Sequence, residues 1–295
     1  MTQKSNLNSR IKFSNDINKS SEEYLTSKDN IKLFYKKWEA ENKVRGNILL
    51  IHGFGEHIGR YNDLCKKFTD IGFSVYGIDL RGHGKSSGKR GYASSYNLFL
   101  KDINVLYEKV IKENANSPII LYGHSFGGNL VINYLLTYPQ NKISAAIITS
   151  PWLKLSFKPP LFKIILGNII KHLFPYALTK MNLNVNGLSP KPEVTFNYIN
   201  DPLIHNKINI KLFYQISNAG IKAIKQIYKV NTPILILHGI NDPITSHKAS
   251  MELIKNASDK ITLKLYNISF HELHNTDEVN AIFNDIIIWL SLKNI

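Results

Sequence analysis

Short apolar runs rich in Ile, Leu and Val alternate along the chain with longer segments whose apolar positions recur every three to four residues. Residues 47–51 (NILLI), 73–78, 118–122 (PIILY) and 143–149 read as strands, since continuous apolar runs belong to strands buried on both faces. Helical patterns fill the intervals near 60–71, 95–114 and from the turn GHSFGG to about Tyr138. This alternation predicts an α/β fold with a mostly parallel central sheet and helices on both faces. The alternating run 31–38 reads instead as an antiparallel edge hairpin.

The pattern breaks at Ser150-Pro151-Trp152, where prolines and helical stretches replace the strand runs until about residue 228. It resumes at 233–237 (PILIL) and 260–266, with helices near 246–256 and 276–292. The simplest division is an α/β core of 23–150 and 229–295, interrupted by a helical insertion at 151–228. Open α/β sheets bind ligands beyond their strand C-termini, so an insertion there is a cap or lid by position. Its segment 161–174 places Lys163, Gly167 and Lys171 on one helical stripe and is otherwise apolar. That suits the wall of an acyl tunnel and a membrane-facing lid. Residues 1–22, rich in Asn, Ser and Lys, read as a poorly ordered tail.

Candidate chemistry gathers at the strand ends. Gly123-His124-Ser125-Phe126-Gly127-Gly128 fits Gly-x-Ser-x-Gly, with a buried strand before it and a helix after it. That is the setting of a nucleophile elbow, and Ser125 is the expected nucleophile. The glycines belong where a tight, strained turn leaves no room for side chains. A serine hydroxyl needs a base, and the base an orienting acid, here in the chain order nucleophile, acid, base. Of the ten histidines, only His271 and His274 lie just past the last expected strand. His271 is nearer the strand end and is the expected base, with His274 the alternative. Asp242, after the run PILIL, is the expected acid; its other reading is a helix N-cap before Ile244. The backbone N–H groups of Phe54 and Phe126 are expected to form an oxyanion hole. This chemistry requires neither metal nor cofactor.

At this point the chain resembles the monoacylglycerol lipases and related bacterial lysophospholipases among the S33-type α/β-hydrolases. The resemblance rests on HGFGEHIGRY, DLRGHGKSSG, GHSFGG, NDPLIH at 200–205, HGINDPI and SFHELHN, and covers roughly 30–292. It implies the α/β-hydrolase fold and hydrolysis of a monoacylglycerol or similar single-chain lipid ester. It carries the triad onto Ser125, Asp242 and His271, and implies that Glu56, Arg60 and His274 line the polar end that receives glycerol. Phe54 stands where the family commonly has a small residue, which predicts narrower acyl access.

Composition narrows the partners further. The net charge is +15, almost all of it from scattered Lys, with Arg only at 10, 45, 60, 81 and 90. No aromatic-interleaved basic stripe appears, so nucleic acid is not an expected partner; with Asn and Ile also abundant, the excess reads first as drift toward Lys codons, the alternative being attraction to an anionic membrane surface through the cap. A single cysteine, Cys65, excludes an internal disulfide and reads as a small core residue of the helix near 60–71. No secretory signal pattern and no run of about 18 apolar residues is found, so a cytoplasmic, peripherally membrane-associated protein is expected. The competing activities are a general carboxylesterase, a thioesterase, a serine aminopeptidase and a catalytically dead binding protein. An aminopeptidase would need cap carboxylates for an α-ammonium, and the cap's main acids are Glu193 and Asp201.

Overall fold

The computed structural model describes residues 19–41, 43–157 and 161–295, the side chains of 161–165 and 168 excepted. In chain order the first half runs β1 (Ser20–Thr26), β2 (Lys32–Trp38), β3 (Gly46–Ile51), α1 (Asn62–Asp70), β4 (Phe73–Ile78), α2 (Asn97–Glu113), β5 (Ile119–His124), α3 (Phe126–Thr137) and β6 (Ala145–Thr149). The insertion follows as α4 (Leu161–Leu173), β7 (Leu178–Lys180), α5 (Pro192–Asn200), β8 (Lys207–Asn209) and α6 (Ile210–Gln226). The chain closes with β9 (Ile234–Gly239), α7 (His247–Lys255), β10 (Ile261–Tyr266) and α8 (Val279–Leu292).

Eight strands form one sheet in the order β1-β2-β4-β3-β5-β6-β9-β10. β1 and β2 are antiparallel, as is the β2–β4 pairing, and every later pairing is parallel. The two-residue period of a strand splits each apolar run between two cores. Leu49, Ile51, Leu121 and Ile148 face one core with α2, α3, α6 and α7. Ile48, Leu50, Tyr122 and Leu235 face the other, with α1 and α8. Both faces are covered, which is why these strands carry no polar alternation. Cys65 is buried in α1.

Two boundaries differ from the sequence reading. Of the expected tail, residues 1–18 lie outside the described residues, but Ser20–Ser21–Glu22 already belong to β1, paired to Trp38–Lys37–Lys36. Helix α6 lies inside the expected insertion yet buries Leu212, Ile216, Ala223 and Ile224 in the core shared with α3. Its backbone is pinned there by Asn129 and Asn133 of α3, whose side-chain amides donate to the carbonyls of Ile216 and Ala219 at 3.2 Å each. Gly220 lets α6 also approach the segment after β6, since a Cβ there would collide with the Leu153 carbonyl.

Candidate active site

Ser125 sits between β5 and α3 with φ 54° and ψ −114°, a left-handed backbone that a non-glycine residue adopts only under strain. The flanking glycines follow from crowding. A Cβ on Gly123 would lie 2.6 Å from the Gly127 carbonyl oxygen, and one on Gly127 would collide with the Ile51 carbonyl. Phe126 is the first residue of α3, where a backbone N–H has no intrahelical acceptor. The loop after β3 closes from the other side, since a Cβ on Gly53 would come 3.3 Å from the Ser125 Cβ. Phe54 packs its ring edge-on against Phe126, with centroids 5.5 Å apart.

Asp242 follows β9 and His271 follows β10, and the parallel register of these strands brings the two turns together. The His271 Nδ1 lies 2.7 Å from Asp242 Oδ2. Asp242 Oδ1 accepts the N–H groups of Ile244 and Thr245 at 2.7 and 3.0 Å, while the Thr245 hydroxyl donates to Oδ2 at 2.7 Å. Asp242 Oδ2 thus meets His271 while Oδ1 makes the N-cap-like bonds. Burial alone would raise the Asp242 carboxyl, but the His271 charge and the hydrogen bonds from His238 and His271 outweigh it and hold it well below the usual carboxylate range. For His271, burial lowers the imidazolium's stability, yet the Asp242 charge and hydrogen bond prevail and its pKa is raised.

A cavity of about 610 Å³ opens beside Ser125 and His271. The core lines it with Gly53, Phe54 and His124, and the insertion with Trp152, Met181, Val185 and Ile199. Beyond Trp152 and Leu155, the insertion residues that line it among the described residues fall within 181–206, while the tunnel-wall reading of 161–174 falls partly on side chains outside the described residues. The side chain of Lys163, one of the three stripe positions, lies outside the described residues.

The family model described as serine aminopeptidase, S33 matches residues 42–278. The chain belongs to this family. It is 32% identical over 269 residues to an abhydrolase domain-containing protein of Dictyostelium discoideum, of whose length it spans 28%. It is 28% identical to a monoacylglycerol lipase of Mycolicibacterium smegmatis, covering 88% of this chain and 93% of that one. Among solved structures, the monoacylglycerol lipase of Paleococcus ferrophilus superposes with a TM-score of 0.80 at 33% identity, over 88% of this chain and 99% of that one. A soluble variant of the Saccharomyces cerevisiae monoglyceride lipase, in complex with a substrate analog, gives 0.83 at 26% identity over 94% and 95%. The fold is the α/β-hydrolase fold, and the chain is a hydrolase.

In this S33 hydrolase the polar end of the cavity is a buried ion cluster. Arg60 donates to Glu56 Oε2 at 2.5 Å and forms a bidentate pair with Glu272, at 2.7 and 2.8 Å. Glu56 Oε1 also accepts the Gly53 N–H and the Tyr61 hydroxyl, at 2.6 Å each. Burial would raise both carboxyls, but the Arg60 charge outweighs it and both stay below the usual range. Glu56 therefore does two things at once: it faces the cavity and holds the Gly53 loop in place. Glu272 was not singled out from sequence, because its role depends on Arg60, which lies far away in the chain. Its only local signal is a carboxylate directly after the expected base in SFHELHN.

His274 does not join this group at the cavity surface. Its ring stacks on Tyr61 with centroids 4.5 Å apart, behind the cluster, and it is absent from the cavity lining among the described residues. The step from His271 to His274 passes through a 3-10 turn, Leu273–Asn275, which turns the two imidazoles to different surroundings. Burial depresses its pKa, favouring the neutral ring. Asp201, from the insertion, lies 2.8 Å from His57 Nε2 and ties cap to core.

Proposed function

We propose that this hydrolase cleaves the ester of a monoacylglycerol or a similar single-chain lipid through an acyl-enzyme on Ser125. The observation that carries this reading is one cavity with two chemistries. Ser125 and His271 line one cavity together with apolar insertion residues such as Met181 and with the buried Glu56–Arg60–Glu272 cluster. An acyl chain suits the apolar lining and a hydroxylated head group the ion cluster. The relatives named as monoacylglycerol lipases over nearly their full length support the same substrate class.

The Asp242–His271 hydrogen bond supports the following mechanism. Asp242 takes the Nδ1–H of His271, leaving Nε2 as the basic nitrogen for the Ser125 proton. Ser125 Oγ then attacks the ester carbonyl, and the N–H groups of Phe54 and Phe126 receive the oxyanion. His271 returns the proton to the glycerol oxygen as it leaves, and water repeats the sequence on the acyl-enzyme. Because the His271 pKa is raised above 6.5 and the base must be neutral, kcat/KM falls as pH drops through that raised value.

An aminopeptidase reading is less well supported. Glu193 is exposed and Asp201 is engaged by His57, while the two core carboxylates share Arg60. Paired substrates test the assignment. Glu56→Ala should cut kcat/KM for monoacylglycerol about 10-fold or more, since a site built to bind hydroxyls loses its partner. A p-nitrophenyl ester of the same acyl chain should lose far less. Equal losses on both would make Glu56 a support of the Gly53 loop alone and remove the local basis for a glycerol head group.

No helix among the described residues is long and apolar enough to cross a membrane. Contact with lipid is proposed to be peripheral, through the outward apolar face of the cap.

A further inference from the structure

Asp242 faces a second imidazole. His238, at the end of β9, places Nε2 3.2 Å from Asp242 Oδ2 and 3.1 Å from the Thr245 carbonyl oxygen. Both neighbours are acceptors, so Nε2 carries the proton. Its Nδ1 lies 2.9 Å from Ser250 Oγ on α7 and accepts that hydroxyl. Ser250, His238 and Asp242 thus repeat the order serine, histidine, aspartate on the far side of the carboxylate that His271 uses. His238 and Ser250 are both 0% exposed and neither lines the cavity, so no substrate reaches this second set.

We propose that His238, held by Ser250, is a positioning residue that sets the basicity of His271 by sharing the Asp242 carboxylate. The inference rests on the triad reading above. Every donor on Oδ2 spreads its charge and weakens its hold on the His271 imidazolium. The hydroxyl of Ser250 fixes the His238 tautomer; with the proton on Nδ1 instead, a lone pair would face Oδ2 and repel it. Around His271 the other ionisable neighbours are Glu272, Glu56, His124 and His274. Around His238 they are Asp242 and His247, whose ring centroid is 6.4 Å away. None of the latter replaces the lost donor when His238 is changed.

The test is the pH profile of kcat/KM on a soluble p-nitrophenyl ester. His238→Leu should move the acid limb upward by about half a pH unit or more, because Asp242 then concentrates its charge on His271. Ser250→Ala should move it the same way by less, and His238→Gln, which offers an amide N–H, should return it toward wild type. The downfield proton resonance of His271 Nδ1–H should shift in the same order. A purely structural role would lower the melting temperature and leave the limb in place; that result in folded Ser250→Ala and His238→Leu overturns the inference. If His238→Leu fails to fold, Ser250→Ala carries the test, since it removes a single oxygen. Asp242→Asn separates the two levels of the argument. Retained activity there defeats the triad reading and the inference with it, whereas lost activity with an unmoved limb in the His238 and Ser250 variants defeats the inference alone.

Discussion

Helices α3 and α4 have similar apolar make-up and opposite surroundings. In α3 every residue from Phe126 to Leu135 is buried, against the sheet, α2 and α6. In α4, Leu166, Ile169 and Leu173 are 51, 52 and 67% exposed. A helix apolar around most of its circumference is stable in contact with water only if something else covers it. The α4 stripe of small and polar residues faces protein instead. A Cβ on Gly167 would come 2.7 Å from the Tyr214 hydroxyl of α6, and the Lys171 ammonium sits 4.6 Å from the centre of the same ring. Glycine and lysine at the contact, with leucine and isoleucine outward, is the reverse of a soluble helix. Burial in α3 goes with a folded core and a strained backbone at Ser125, the proposed nucleophile; exposure in α4 leaves an apolar face in water.

The largest effect should come from the head of α3. Ser125→Ala should lower ester hydrolysis about 10⁴–10⁶-fold with an unchanged melting curve, because triad members act as a unit. His271→Ala should cost a similar factor and Asp242→Asn somewhat less. A fluorophosphonate should label wild type and not the serine variant. Near-normal turnover in Ser125→Ala would dissolve the functional half of the comparison.

The stability half comes next. Leu130→Ala in α3 should cost about 2–5 kcal/mol, the usual result of a cavity in a close-packed core. Leu173→Ala in α4 should stay within about 0.5 kcal/mol, as for a surface position. Chemical denaturation of both variants measures the contrast. A large loss at Leu173 would mean that the exposed face is engaged by the protein itself.

The same contrast explains what was legible in the sequence. The runs NILLI, PIILY and PILIL mark strands to within a residue or two because two-sided burial writes itself as continuous apolarity. β1 was hidden because its residues, SSEEYLT, are almost all exposed, and its order comes from backbone pairing with β2. β7 and β8 are three residues each, too short for any period to show. At the site, Ser125, Asp242 and His271, whose turns the fold brings together, could be proposed as a triad because each follows a recognisable strand. Glu272 and His238 could not, because their partners are chosen by the fold. For α4 the stripe was visible in sequence, but which side faces inward depends on Tyr214 of α6, which no local pattern announces.

The smallest effect concerns the exposed face of α4 and tests what covers it. Ile169, Leu173, Phe174 and Tyr176 form an outward apolar group, all more than half exposed. Lys180 is exposed on the same part of the cap, within a chain whose net charge is +15. Apolar residues beside lysines fit the surface of an anionic bilayer, where the side chains enter the acyl boundary and the ammonium groups stay at the head groups. Burying part of two such side chains is worth on the order of 1–1.5 kcal/mol, about tenfold in partitioning. The double variant Ile169→Ser/Leu173→Ser should therefore hydrolyse monoacylglycerol in anionic vesicles about tenfold more slowly at low enzyme concentration. Its rate on a soluble short-chain ester should not change, since neither residue lines the cavity. Raising the salt concentration should weaken the vesicle activity of wild type a few-fold, because the lysine contribution is screened over about 8–10 Å. If the double variant matches wild type on vesicles, or loses the soluble ester equally, lipid is not what covers α4, and the cap's outward face needs a protein partner instead.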